Sequence, residues 1–316
     1  MNSINSNRSL PILALLHGLP IYENGWNIFT PYSDPFRDIK QLIPESIIVP
    51  TASRGVFLAN EMQAPSLVFV PNRQLLSVLA EISRSPEELL FPLVLVVEDH
   101  PFVAPNVQPR QLLCESNLIS LEPCNATESE FIGLAAGRMS ASTKRAVAVI
   151  FHHGLLGAAA SIVETPIQDL PSTRLHGETS DPIRLSRRLE LNRQRTLPSP
   201  GERGSVGFIT VGLADTSLRY LVSELRLLGR VPTLNVRLVS PLDDVPIKRL
   251  LTRCHNLVVL EPRPGEIETK VIAIAEQMRR DGEEVALVWG RELPPVDPEH
   301  DPMQVPIDAI HPSVVA

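Results

Sequence analysis

A chain of 316 residues, 43% of them hydrophobic, is long enough to bury two separate cores. Its 29 basic residues against 36 acidic ones leave a formal charge of −7, and aromatics make up 4%, which together argue against general nucleic-acid binding. Cys114, Cys124 and Cys254 form no C-x-x-C pair, which excludes a self-contained iron–sulfur cluster and fits the reduced thiols of a cytoplasmic protein.

No apolar stretch approaches the ~18–20 residues of a membrane span, so no membrane partner is expected. The first apolar run, 10–21, contains Pro11, His17, Gly18 and Pro20. It reads as a first strand over 12–16 followed by a loop, with a signal peptide as the alternative. Further strands are predicted at 46–49, 67–70, 93–97, 118–121 and 147–151, with helices over 73–82 and 127–140. Asn125 followed three residues later by Glu128 has the pattern of a capping box opening the second helix. His152 and His153 are adjacent. On a strand their side chains point to opposite faces, which disfavours a shared metal. Between about 164 and 204 the chain is rich in proline, and Arg184, Arg187, Arg188, Arg193 and Arg195 crowd together. The run fits either an anion or partner site or a solvated connector.

The C-terminal part is more regular. Residues 206–211 read as a buried strand ending at Gly212. Leu218, Leu221, Val222, Leu225 and Leu228 then recur at helical spacing, with Gly229 as the stop. Leu234, Val236 and Leu238 alternate as in a strand. A short helix over 245–254 has Asp243 or Asp244 as its N-cap. Residues 257–260 form an uninterrupted apolar strand. Ile267, Val271, Ile274, Ala275 and Met278 mark a last helix ending near Gly282, and 285–289 a last strand. Alternating strands and helices imply an α/β class with open, mostly parallel sheets in two domains. The sequence has no G-x-x-x-x-G-K-[ST], no G-x-G-x-x-G after a strand and no G-x-S-x-G.

A set of ordered segments nevertheless resembles a known family. Phe91-Pro-Leu-Val-Leu-Val-Val97 runs into Glu98-Asp-His-Pro101, and Asn106-Val-Gln-Pro-Arg110 follows. Leu121-Glu-Pro123, an acidic helix and the strand 146–151 come next. This order resembles the pyrimidine-binding domain of the 2-oxoacid:ferredoxin oxidoreductases, and most closely the α subunit of indolepyruvate ferredoxin oxidoreductase. Gly207-Phe-Ile-Thr-Val-Gly212, Leu238-Val-Ser-Pro-Leu242 and Leu257-Val-Val-Leu-Glu261 resemble the transketolase-type C-terminal domain. The resemblance implies a shortened thiamine diphosphate-binding-like domain over 1–163, a connector over 164–204, a transketolase C-terminal-like domain over 205–292 and a proline-rich tail over 293–316. It also implies a subunit of a thiamine-dependent 2-oxoacid oxidoreductase, in a homo- or hetero-oligomer with a diphosphate-binding subunit. That partner would supply the site for thiamine diphosphate and the clusters.

In that family a buried glutamate of the pyrimidine-binding domain bonds the cofactor's aminopyrimidine ring. Here the matching step is Pro71-Asn72-Arg73, and an arginine cannot accept the ring proton. Glu61 and Glu81 lie nearby in the sequence without matching the motif. The stretch from Asn72 to Glu98 is shorter than in the family, and neither a Gly-Asp-Gly…Asn diphosphate–Mg²⁺ motif nor a cysteine-rich segment is present. Two positions carry over as substrate- or cofactor-facing candidates. Thr30 matches a Thr-Pro turn, and Arg110 matches an arginine suited to a substrate carboxylate. The alternative for Arg110 is a surface arginine on a helix. A non-catalytic interaction or regulatory protein that keeps the fold is the competing reading. A stand-alone enzyme is a third, with ligand points at 212–215 and 261–265.

Overall fold

The computed structural model describes residues 10–19, 25–32, 36, 43–86, 88–100, 103, 106–156, 179–199, 201–263, 265–293 and 303–304. The chain divides into two compact units, Met1–Leu189 and Glu190–Ala316. The connector expected over 164–204 thus contributes to both units, and its part over 164–178 lies outside the described residues, as does nearly all of the tail.

The first unit opens with a helix, α1 (Leu10–Gly18), where a strand was expected. Its buried residues Ile12, Leu15, Leu16 and Leu19 recur at three- and four-residue steps. In an unbroken apolar run that period is hidden among neighbours that are also apolar. The strands are β1 (Asn27–Pro31), β2 (Ile47–Val49), β3 (Ser66–Val70), β4 (Leu93–Asp99), β5 (Ile119–Leu121) and β6 (Val147–His152). Within the unit they lie in the order β5-β6-β4-β3-β1-β2, and every pair is parallel. All seven residues of β4 are buried, as an apolar strand covered on both faces must be.

The helices follow the strands as crossovers: α2 (Ala52–Met62), α3 (Leu75–Ile82, entered through a 3-10 turn, Asn72–Gln74), α4 (Pro109–Glu115) and α5 (Ser129–Thr143). The Thr51 hydroxyl caps α2 by accepting from the Arg54 N–H at 3.3 Å. One sheet face (Phe29, Val68, Val70, Leu95, Val97) packs on Val56, Leu75, Val78 and Leu113 of α2, α3 and α4. The capping box at α5 forms by half. Asn125 Oδ1 accepts from the Glu128 N–H at 3.0 Å, but the Glu128 carboxylate turns to Cys124, 2.7 Å from its Sγ and 3.4 Å from its N. Helix α1 crosses α5 at glycines: a Cβ on Gly133 would run into the Leu15 carbonyl oxygen, and one on Gly18 into that of Glu130. After β6 come a single turn, α6 (His153–Leu156), and, beyond the undescribed stretch, α7 (Pro182–Arg188), capped by Asp181.

The second unit begins with β7 (Arg193–Arg195), built from the arginine-rich connector. There follow β8 (Gly204–Val211), α8 (Ala214–Glu224), β9 (Thr233–Val236), β10 (Leu238–Ser240), α9 (Asp244–Arg253), β11 (Cys254–Leu260), α10 (Glu266–Arg280) and β12 (Leu287–Trp289). The sheet order is β12-β11-β8-β9-β7, parallel except for the antiparallel edge strand β7. Helices α9 and α10 cover one face through Ile247, Leu250, Val271 and Ala275, and α8 covers the other through Ala214, Leu218 and Val222. Asp243 caps α9, accepting from the Val245 N–H. Two expectations are corrected. Helix α8 stops at Glu224, a turn before Gly229, because Arg226 turns left-handed (φ 55°) and Leu225 and Leu228 are exposed. The strand expected through Leu238 is broken at Arg237, whose fully buried guanidinium donates to the Leu191 carbonyl at 2.8 Å. Among the described residues no helix is long and apolar enough to cross a membrane.

The α1–α5 crossing sets a test of the fold. Gly133→Ala places a methyl against backbone that cannot yield, and is expected to lower unfolding free energy by about 2 kcal/mol in urea titrations.

Candidate functional site

Parallel sheets deliver their chemistry at the carboxyl ends of the strands. At that edge of the first unit stand Thr30 on β1, Asn72 just past β3, Glu98 and Asp99 ending β4, and His152 ending β6. Thr30 is buried, and its hydroxyl has no hydrogen-bond partner. Asn72 is fully buried and tied at two points. Its N–H donates to Glu98 Oε2 at 3.1 Å, and its Nδ2 donates to the His100 carbonyl at 3.1 Å, while Oδ1 has no partner. Glu98 is 3% exposed, so an acidic side chain sits inside the protein at the end of a central strand. A buried polar atom without a partner costs about 1–3 kcal/mol, so this edge holds acceptors whose satisfaction the chain does not supply itself.

Arg73, at the position where the family resemblance places a glutamate, is exposed. Sequence reasoning quoted Glu98 as a marker of the strand end and did not single it out. The signal available was an acidic residue closing an uninterrupted apolar strand. Arg110 is not a surface residue: it is 4% exposed on α4 and grips Glu122, through Nε to Oε2 at 3.1 Å and Nη2 to Oε1 and Oε2 at 3.0 and 2.9 Å. Thr30 and Arg110 are thus both interior residues, one on strand β1 and the other on helix α4.

The histidines depart from the strand geometry expected of them. His152 ends β6 and His153 opens α6, so the alternation stops between them and their rings lie 4.3 Å apart. His100 stacks on His153 at 4.6 Å. His152 Nδ1 accepts from the Gly154 N–H at 3.2 Å, which puts the ring proton of neutral His152 on Nε2. Among the described residues no group of His, Cys, Asp or Glu is placed to hold a metal ion.

At the carboxyl edge of the second unit two acids meet donors of the chain, while Asn235 Oδ1 is buried without a partner. Glu261, directly after β11, accepts from the N–H groups of Gly265, Ile267 and Glu268 at 3.0–3.1 Å and so caps α10. Asp215 accepts from the Thr210 hydroxyl at 3.0 Å and lies 3.7 Å from the guanidinium of Arg195. The arginine run is split in its roles: Arg184, Arg187 and Arg188 are exposed on α7, while Arg195 reaches back to Asp215. Cys254 is buried, and burial pushes its thiol up to about 11 even with Arg203 nearby drawing it down.

No protein-family model and no curated protein matches this chain. Its fold has clear counterparts among solved structures. It is similar to a 2-oxoglutarate:ferredoxin oxidoreductase from Magnetococcus marinus with 2-oxoglutarate, coenzyme A and succinyl-CoA bound. That match has a TM-score of 0.56 at 13% identity over 90% of this chain and 61% of that one. It is similar also to a split-gene transketolase solved as an inactive beta4 tetramer, with a TM-score of 0.55 at 14% identity over 93% of this chain and 90% of that one. At such identities the likeness shows the fold: two mostly parallel α/β units arranged in sequence as in oxidoreductase and transketolase chains. The chain spans 61% of the length of the oxidoreductase chain that it matches.

Two measurements follow from this geometry. Glu261→Ala removes the acceptor for several α10 amides and is expected to cost about 2 kcal/mol of stability, with faster hydrogen exchange at Ile267 and Glu268. At pH 8 only about one part in a thousand of Cys254 is thiolate, so iodoacetamide is expected to label the partly exposed Cys114 while native Cys254 stays unmodified in peptide maps.

Proposed function

We propose that the chain is a subunit related to thiamine-dependent 2-oxoacid oxidoreductases, of the indolepyruvate or pyruvate type, and that it works with a partner subunit. The observation that carries this reading is the pair of buried, unpartnered acceptors at one sheet edge, Thr30 Oγ1 and Asn72 Oδ1, with the Glu98 carboxylate bonded to the Asn72 main chain. These atoms fit the pyrimidine end of thiamine diphosphate. The sequence lacks the Gly-Asp-Gly…Asn motif for its diphosphate and metal, which in this reading a partner subunit supplies. When bound, thiamine diphosphate supplies the nucleophilic carbon that attacks a 2-oxoacid. This chain's part is to bind and orient the pyrimidine and to keep water from it, and Arg110, held by Glu122, braces α4 beside the edge. A cytoplasmic location suits its reduced thiols.

The split transketolase supports the partner requirement. A chain nine-tenths matched by this one is described as inactive in its own tetramer. The exposure of Arg73 favours a second reading, a regulatory or interaction protein that keeps the fold without the chemistry. Reconstitution separates the two. The chain mixed with a diphosphate-binding subunit, thiamine diphosphate, Mg²⁺ and a 2-oxoacid is expected to reduce a viologen dye, and neither chain alone should do so. If every such mixture stays inactive while the partner still binds, the regulatory reading replaces the catalytic one.

A further inference from the structure

We infer that the turn ending α8 in the second unit is a docking surface for an anionic phospholipid membrane, with Leu225 and Leu228 entering the lipid interface and Arg219, Arg226 and Arg230 meeting the headgroups. The two leucines fall at the helical spacing that predicts a core face. Yet they are 55% and 61% exposed, so neither lies in a groove. Tyr220, on the outer face of α8, is exposed as well. The three arginines beside them are exposed, and among the described residues their guanidinium groups form no ion pair. Between Thr216 and Arg230 the sequence holds one acid, Glu224, so the patch is basic in a chain whose formal charge is −7.

The turn holds these side chains outward. Leu218 and Val222 pack on the sheet, and Leu227 packs against the same cluster. The Leu227 N–H donates to the Val222 carbonyl at 2.8 Å and the Arg226 N–H to that of Ser223 at 3.0 Å, while Arg226 (φ 55°) and Gly229 (φ 72°) take left-handed backbone. The helix end is thus closed, with Leu227 as its anchor and Leu225 and Leu228 in water. Leucines fixed in that way gain on entering an apolar medium, and arginines without internal partners gain on meeting phosphate. Six residues fall well short of the roughly 20–30 per side of a specific protein interface, whereas a fluid bilayer needs no matching surface. Among the described residues no helix can cross a membrane, so the attachment is peripheral. It departs from the expectation, drawn from the lack of a span, that no membrane takes part. The negative charge of the whole chain does not prevent it, because charges more than about 8 Å from the lipid are screened at physiological salt. The cytoplasmic location proposed above exposes the chain to the leaflet that carries anionic lipid.

The test uses the full chain and extruded vesicles of phosphatidylcholine, alone or with roughly one phosphatidylserine in three. In sedimentation the wild type is expected to be half bound at about 1 mM accessible lipid on the anionic vesicles, to be released by about 0.5 M NaCl, and to leave the neutral vesicles unbound. Each arginine at an anionic surface contributes about fivefold, so Arg219→Glu/Arg226→Glu/Arg230→Glu should weaken binding about a hundredfold or more. Arg84→Glu/Arg184→Glu/Arg280→Glu, an equal change of charge on exposed residues elsewhere, should bind within about twofold of the wild type. Leu225→Ser/Leu228→Ser keeps every charge and should weaken binding about tenfold. If circular dichroism shows the first arginine variant unfolded, Arg219→Gln/Arg230→Gln, which leaves the turn at Arg226 untouched, replaces it and should weaken binding about 25-fold. No binding of the wild type to anionic vesicles at roughly 10 mM lipid, equal binding to neutral vesicles, or wild-type binding by the α8 arginine variants overturns the proposal. Unchanged binding by the leucine variant overturns the entry of Leu225 and Leu228 into the interface. Poly-L-glutamate is the soluble comparison: if it binds through the same arginines and the vesicles do not, the surface belongs to an acidic protein and the lipid assignment falls.

Discussion

The hydrogen bond from the Asn72 N–H to Glu98 links two neighbouring parallel strands at the point where both leave the sheet. Inside a protein a carboxylate is tolerated only where donors meet it, and a main-chain N–H in a fixed turn is a rigid one. The bond requires β3 and β4 to end at the same level, which their register provides. It also requires the 3-10 turn of Asn72–Gln74, which aims the amide inward before α3 begins. The Asn72 side chain then reaches the His100 carbonyl, so the first residue past β4 is bound to the same corner. The polar edge of the first unit is thus the outcome of apolar strand pairing beneath it.

The second unit is likewise an open, mostly parallel sheet. There, too, carboxylates follow the strands, but each meets a donor of its own chain. Glu261 sits on the α10 amides and Asp215 on Thr210, with Arg195 close by. A helix N-terminus already holding an internal carboxylate has no attraction left for an external anion. Both units place acids at the carboxyl edge, and both leave buried acceptors there without a hydrogen-bond partner: Thr30 Oγ1 and Asn72 Oδ1 in the first, Asn235 Oδ1 in the second.

Legibility in the sequence followed the strength of the local signal. Strand β4 was readable because an apolar run buried on both faces has no polar residue to confuse it, and α9 because Asp243 marks its start. Helix α1 was not, because apolar residues at every position satisfy both periods at once. Strand β7 was hidden in a charge run, since Arg193 and Arg195 pair with β9 through their main chains, whatever their side chains are. The site was harder still. Thr30 could be named from its turn and Arg110 from its motif, but the burial of Arg110 against Glu122 depends on a contact across twelve residues. The pairing of Asn72 with Glu98 spans twenty-six and follows from register alone, which one sequence does not display.

An unpartnered buried acceptor destabilises a protein by an amount comparable to a lost hydrogen bond, and natural chains hold only a modest margin of stability. An edge that keeps such atoms is held at a cost that the apolar core beneath must offset. In the first unit that core is continuous from Phe29 through Val68 and Leu95 to Ile150, with helices packed against it. Mutational drift toward greater stability would replace Asn72 with an apolar residue or give Thr30 a partner. A group whose arrival satisfies these atoms would recover the lost bonding only on binding, so the unsatisfied edge is itself a source of affinity. Position 73 carries no such constraint, because its side chain is exposed.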